Sequence, residues 1–173
     1  MKYLSLSIFI FLITIITKAQ TTYPEPDFAN VPVWYDNTSK VLKNFERLPV
    51  NKGTRMSGPA SAETYIVFAG ETSTTQFQHD QLPTFIVKLN SPTEDPSTIV
   101  ELGKLQINKR KHQREYIAGK GGLAGGKSTL TTLSLDFKKL SPGVYQFAPS
   151  QTLEPGEYVI SSSNKAFLFT VLN

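Results

Sequence analysis

The sequence predicts an all-β protein, an antiparallel sandwich of about eight short strands. The first sign is a phrase that occurs twice near the C-terminus. Leu140, Pro142, Gly143, Tyr145 and Phe147 recur thirteen residues later as Leu153, Pro155, Gly156, Tyr158 and Ile160. Proline sets the first corner of a turn at a φ of about −65°, and glycine accepts the positive φ that a type II turn demands next. The tyrosine and the apolar residue two positions on then share one face of a strand. The second sign is the run from Ala166 to Leu172, apolar at nearly every position. The third is that the remaining apolar runs are short and separated by turn-forming residues.

The chain opens on Lys2, an apolar run from Tyr3 to Ile16, and small residues at Thr17 and Ala19. A basic start, a short apolar stretch and small residues at the boundary predict a secretory signal peptide over 1–19, cleaved before Gln20. The run is shorter than the about 20 residues of a spanning helix, so no transmembrane span is expected after its removal. The expected compartment is secreted, periplasmic or cell-surface. About 150 residues then remain, enough for one domain with a real core. There is no cysteine, so packing alone must hold the fold, and thiolate chemistry is excluded. Without Lys2 and Lys18, 16 basic residues face 14 acidic ones, a net charge of +2. Such a balance gives no reason to expect a nucleic-acid partner.

Residues 20–60 read as an extended N-terminal segment, with Pro24, Pro26, Pro32 and Pro49 spaced through it. Val31 to Tyr35 fits a short edge strand. Thr38 or Ser39 offers an N-cap to a short helix carrying Val41, Leu42, Phe45 and Leu48 at helical spacing; a strand is the alternative. The β-sandwich domain is expected over 61–173. Its strands fall near Tyr65 to Phe68, Thr84 to Leu89, Ile99 to Ile107, Glu115 to Ala118 and Thr129 to Phe137, followed by the two phrases and the C-terminal run.

The second phrase, Leu153 to Ile160, resembles the tyrosine corner of immunoglobulin-like and fibronectin type III sandwiches. In those folds the tyrosine hydroxyl bonds to backbone a few residues upstream. Carboxypeptidase-regulatory-like modules of secreted bacterial proteins carry similar phrases. The resemblance implies an immunoglobulin-like sandwich and no particular function, since such folds host many.

Gly121 to Ser128 formally satisfies G-x-x-x-x-G-K-S. A phosphate-binding loop needs a buried strand before it and a helix after it. Here Thr129 to Phe137 is strand-like, so no nucleotide is expected and the stretch reads as a hairpin loop. His79 and His112 have no partner at ligand spacing, and the sequence points to no metal or cofactor. The charge cluster Lys109, Arg110, Lys111, His112 and Arg114 is either a grip for an anionic glycan or partner, or a solvated hairpin tip. Trp34 and Tyr35 form either an exposed stacking platform or core cover.

Three functions follow. One is a non-enzymatic binding or structural module of the envelope or extracellular space. A second is a carbohydrate-binding accessory domain. The third is a hydrolase using carboxylates drawn from Glu63, Glu71, Asp80 and Glu101.

Overall fold

The computed structural model describes residues 23–58, 61–122, 125–127 and 132–173. The leader expected over 1–19 lies outside them. The first half contains β1 (Val33–Asp36), β2 (Val41–Asn44), β3 (Glu46–Arg47), β4 (Asn51–Gly58), β5 (Ser61–Ala69), β6 (Gln76–Gln78) and β7 (Thr84–Lys88). A single helical turn, α1 (Pro96–Ile99), leads into β8 (Val100–Lys104), β9 (Gln106–Asn108), β10 (Gln113–Gly122) and β11 (Gly125–Lys127). The rest is β12 (Thr132–Leu133), β13 (Leu135–Ser141), β14 (Val144–Pro149), β15 (Gly156–Ser162) and β16 (Lys165–Leu172). No helix of the described residues is long and apolar enough to cross a membrane.

These strands make three sheets. The first has the order β13-β14-β7-β1-β2. The middle one runs β12-β8-β15-β16-β3, with β6 parallel to β16. The third runs β11-β10-β5-β4, with β9 also on β10. Every other pairing between strands is antiparallel.

The layering follows from β15 and β16. Both are apolar on both faces, which a strand tolerates only when covered on both sides. Tyr158, Ile160, Phe167, Phe169 and Val171 pack with Phe85, Val87 and Phe147 of the first sheet. The alternate residues Val159, Ala166 and Leu168 pack with Ile66 and Phe68 of the third. A smaller cluster of Val33, Tyr35, Ile86 and Val144 covers the outer face of the first sheet under Tyr23.

Over 20–60 the extended segment carries four strands, and β2 and β3 realise the strand alternative in place of the short helix. The strand expected at Val31 to Tyr35 is present as β1, but it lies between β7 and β2 instead of at an edge. The apolar spacing that suggested a helix has another cause. Leu42 packs on the outer cluster, Phe45 in the first core and Leu48 in the second. The chain crosses from one layer to the next here, and each apolar residue serves a different interface. The strand count of about eight is likewise too low: sixteen strands are present among the described residues. Two of the shortest, β3 and β9, follow a change of sheet at Phe45 and at Leu105.

The twin phrases do different work. Gly143, at φ +77°, occupies the positive-φ corner between the paired residues Ser141 and Val144. Gly156, at φ +153°, is also positive but far from the about +80° of a type II corner, and the chain runs directly into β15. Tyr158 is buried, stacks on Phe169 at 5.4 Å, and donates its hydroxyl to the Glu154 carbonyl at 2.7 Å. Tyr145 is only half-buried. Tyr158→Phe is therefore expected to cost about 1 kcal/mol, the net value of one hydrogen bond. Tyr158→Ala should cost about 3–5 kcal/mol through the cavity it leaves, and Tyr145→Ala less. Urea melts check the ranking, and a Tyr158→Ala variant as stable as its parent would contradict it.

Candidate functional site

The space between the middle and third sheets is closed at one end and open at the other. Along β10, Arg114, Tyr116 and Ala118 alternate inward, while β5 supplies Phe68 and Ile66. At the closed end Arg114 has no exposed surface. Its Nη1 donates to Glu46 Oε2 at 3.1 Å and Glu157 Oε2 at 3.2 Å. Its Nη2 and Nε donate to the carbonyls of Ala69 and Gly70 at 3.0 and 3.2 Å. Glu157 also accepts from the Thr170 hydroxyl at 2.7 Å and the Ser73 amide at 3.1 Å.

At the open end, two cross-strand rows face each other. In the third sheet, Ile66 pairs with both Lys52 and Tyr116. In the middle sheet, Ser161 pairs with both Glu101 and Ala166. Between them lies a cleft of about 840 Å³, lined by these six residues and by Val50, Ile99, Ala118 and the β15–β16 turn. That volume falls within the roughly 300–1,000 Å³ of small-molecule sites. Ile66 and Ala166 give it an apolar floor. Tyr116 is half-buried, and its phenol is pushed up from its ordinary pKa by burial and then by the negative charge of Glu101. Lys52 and Lys165, which also lines the cleft, have no carboxylate partner among the described residues. The buried Ser162 hydroxyl has no hydrogen-bond partner among them either. Ser162 pairs with Val100 of the first core, so alternation turns its side chain away from the cleft.

The residues singled out from sequence are dispersed. Trp34 and Tyr35 are strand neighbours and point to opposite faces, so they form no common platform. Trp34 packs edge-on against Phe77 at 5.2 Å, with Lys43 over its ring. Tyr35 is buried against Tyr23 at 4.9 Å. Lys109, Arg110 and Lys111 are exposed at the β9–β10 turn. Arg114 is the correction to that cluster: strand alternation carries it into the interior, where it cannot meet a surface partner. His112 pairs with Glu71 at 2.6 Å. His79 and Asp80 line a separate hollow of about 590 Å³ beside β14. Glu63 binds Arg55, and Glu101 lines the cleft. The four carboxylates thus occupy four different surroundings. Among the described residues no group of three or more His, Asp or Glu converges for a metal ion. In the glycine stretch, Gly121 and Gly122 pair with Gly126 and Gly125 in an antiparallel hairpin, in place of a loop leading to a helix. Ser128 lies outside the described residues.

Lys52, Tyr116 and Ser161 were not singled out from sequence. They belong to three strands remote in sequence and meet only through register, which no local pattern encodes. Comparison with protein-family models, with curated proteins and with solved structures finds no match for this chain.

The outer face of the third sheet carries a second charged group. Arg55 bridges Glu63 at 3.0 Å and Glu115 at 2.9 Å. Burial acts to raise the Glu115 pKa, but hydrogen bonds from Gln113, Arg55 and Asn108 outweigh it and hold the carboxyl below its ordinary value of 4.5. A depressed folded-state pKa stabilises the fold above the unfolded value, and that contribution is lost as pH falls through the folded one. Arg55→Met should therefore destabilise more at pH 6.5 than at pH 3, about one unit or more below the unperturbed carboxylate range. Melts at both pH values check this, and an unchanged difference between variant and parent would contradict it.

Proposed function

We propose that this chain is an exported, non-enzymatic binding module that holds a small ligand in the cleft between its middle and third sheets. The observation that carries the reading is the pair of opposed rows, Lys52–Ile66–Tyr116 and Glu101–Ser161–Ala166, bounding an open cleft where the rest of that interface is packed. Apolar floor and convergent polar walls are the usual make-up of a ligand site. Export to a secreted, periplasmic or cell-surface location is supported by the basic, apolar and small-residue succession of the first 19 residues. An immunoglobulin-like affiliation is supported by the Tyr158–Glu154 bond of 2.7 Å, the contact that defines a tyrosine corner.

A carbohydrate-binding role is the more specific version, favoured by the half-buried ring of Tyr116 among hydroxyl, carboxylate and amine groups. The hydrolase reading is weaker. Glycoside hydrolysis ordinarily uses two carboxylates flanking the bond, and among the described residues Glu101 is the only acidic side chain that lines this cleft.

Ser161→Trp places a large ring in the middle of the cleft. Thermal-shift and NMR screens of neutral and acidic oligosaccharides and short peptides should find a ligand that binds the parent saturably. Binding should be lost in Ser161→Trp, and mass spectrometry should recover the ligand unchanged. Conversion of the ligand, binding that persists in Ser161→Trp, or no ligand at all would overturn the reading.

A further inference from the structure

The cleft is electrostatically lopsided. In the third sheet β4 is the edge strand and β10 lies beyond β5, so Lys52 and Tyr116 stand on opposite sides of Ile66. In the middle sheet, Glu101 and Ala166 flank Ser161 in the same way. Glu101 lies on β8, which runs through the single residue Leu105 into β9, and β9 pairs with β10, so β8 stands against the β10 side of the cleft. Carboxylate and phenol therefore share one wall. The lysine stands on the other, with an apolar floor and a hydroxyl between them.

Each wall selects chemistry. Lys52 has its positive charge uncompensated among the described residues, although it faces a partly enclosed space where a charge-assisted hydrogen bond is stronger than in bulk water. A bound anion would supply the missing partner. Glu101 repels a second negative charge and accepts hydrogen bonds, so the opposite end of the ligand must donate. Tyr116, Ile66 and Ala166 offer apolar surface to the ligand's middle. A multiply charged phosphate fits poorly, since one wall is acidic and, among the described residues, no arginine fork lines the cleft.

We infer that the cleft binds a carboxylated sugar, a uronic-acid unit whose carboxylate meets Lys52, whose hydroxyls donate to Glu101, and whose C–H face lies on Tyr116. Lys165 borders the same cleft and adds positive charge for a neighbouring acidic unit. This rests on the binding-module reading and adds the ligand class to it.

The test is calorimetric titration of the full mature chain with trigalacturonate, with the matching neutral trigalactose, and with a Gly-Asp dipeptide. Trigalacturonate should bind saturably, about tenfold or more tighter than the neutral sugar, and more weakly as salt is raised. Lys52→Gln should remove most of that preference while leaving the melting temperature close to the parent's, because Lys52 is exposed. Glu101→Gln should weaken both sugars, since each donates hydroxyls to that carboxylate. Equal binding of the neutral sugar, tighter binding of the dipeptide, or indifference to Lys52→Gln would overturn the assignment while the cleft remained a binding site. Absence of all three interactions would also overturn it. In that case a different ligand lost in Ser161→Trp would preserve the broader reading, and an empty screen would remove both.

Discussion

Arg114 has no exposed surface, yet its guanidinium finds two carboxylates and two backbone carbonyls. A buried charge left unpaired costs several kcal/mol, and pairing offsets this only when the surrounding hydrogen bonds are also made. Here they are. Glu157 accepts from Arg114, Thr170 and Ser73, while the Ser73 hydroxyl donates to the Leu168 carbonyl. The network ties β3, the β5–β6 loop, β10, β15 and β16 together. These segments span two sheets, so the network fixes both the distance between the layers and their register.

That constraint reaches the cleft. From Glu157 in the network to Ser161 in the cleft is four residues of β15, about 13 Å at the rise of an extended strand. Between them lies the apolar row of Val159 and Leu168, packed against Ile66 and Phe68. The interface is therefore pinned at one end, packed in its middle and open at the other. Ligand-binding residues need such a rigid base, because the two facing rows come from different sheets and nothing local holds them in position.

The fold was partly legible in the sequence. The all-β class, the turn at Gly143 and the buried Tyr158 all follow from short patterns whose physics is local. The helical spacing of Val41, Leu42, Phe45 and Leu48 misled because Leu42, Phe45 and Leu48 divide among three cores while Val41 is exposed, a fact of tertiary layering. Arg114 was hidden by its neighbours. Lys109 to Lys111 are exposed, but two residues into β10 alternation turns the next cation inward, and only its distant partners Glu46 and Glu157 explain why it can be there. The cleft was less legible still. Glu101 was named only as one carboxylate among several, while Lys52, Tyr116 and Ser161 come together through long-range register.

The central claim is that the Arg114–Glu157 pair clamps the third sheet to the middle one. A double-mutant cycle in urea tests it most directly, with Arg114→Met, Glu157→Gln and the double variant compared to the parent. Arg114→Met is expected to cost about 3–5 kcal/mol, because it leaves Glu157 buried without its charge partner, and Glu157→Gln less, because Arg114 keeps Glu46 and two carbonyls. The double variant should be more stable than the sum of the two losses implies, with a coupling of about 1–3 kcal/mol. Losses that add to within about 0.5 kcal/mol would show that the two side chains stabilise the fold independently, and the account of how the layers are held would be wrong.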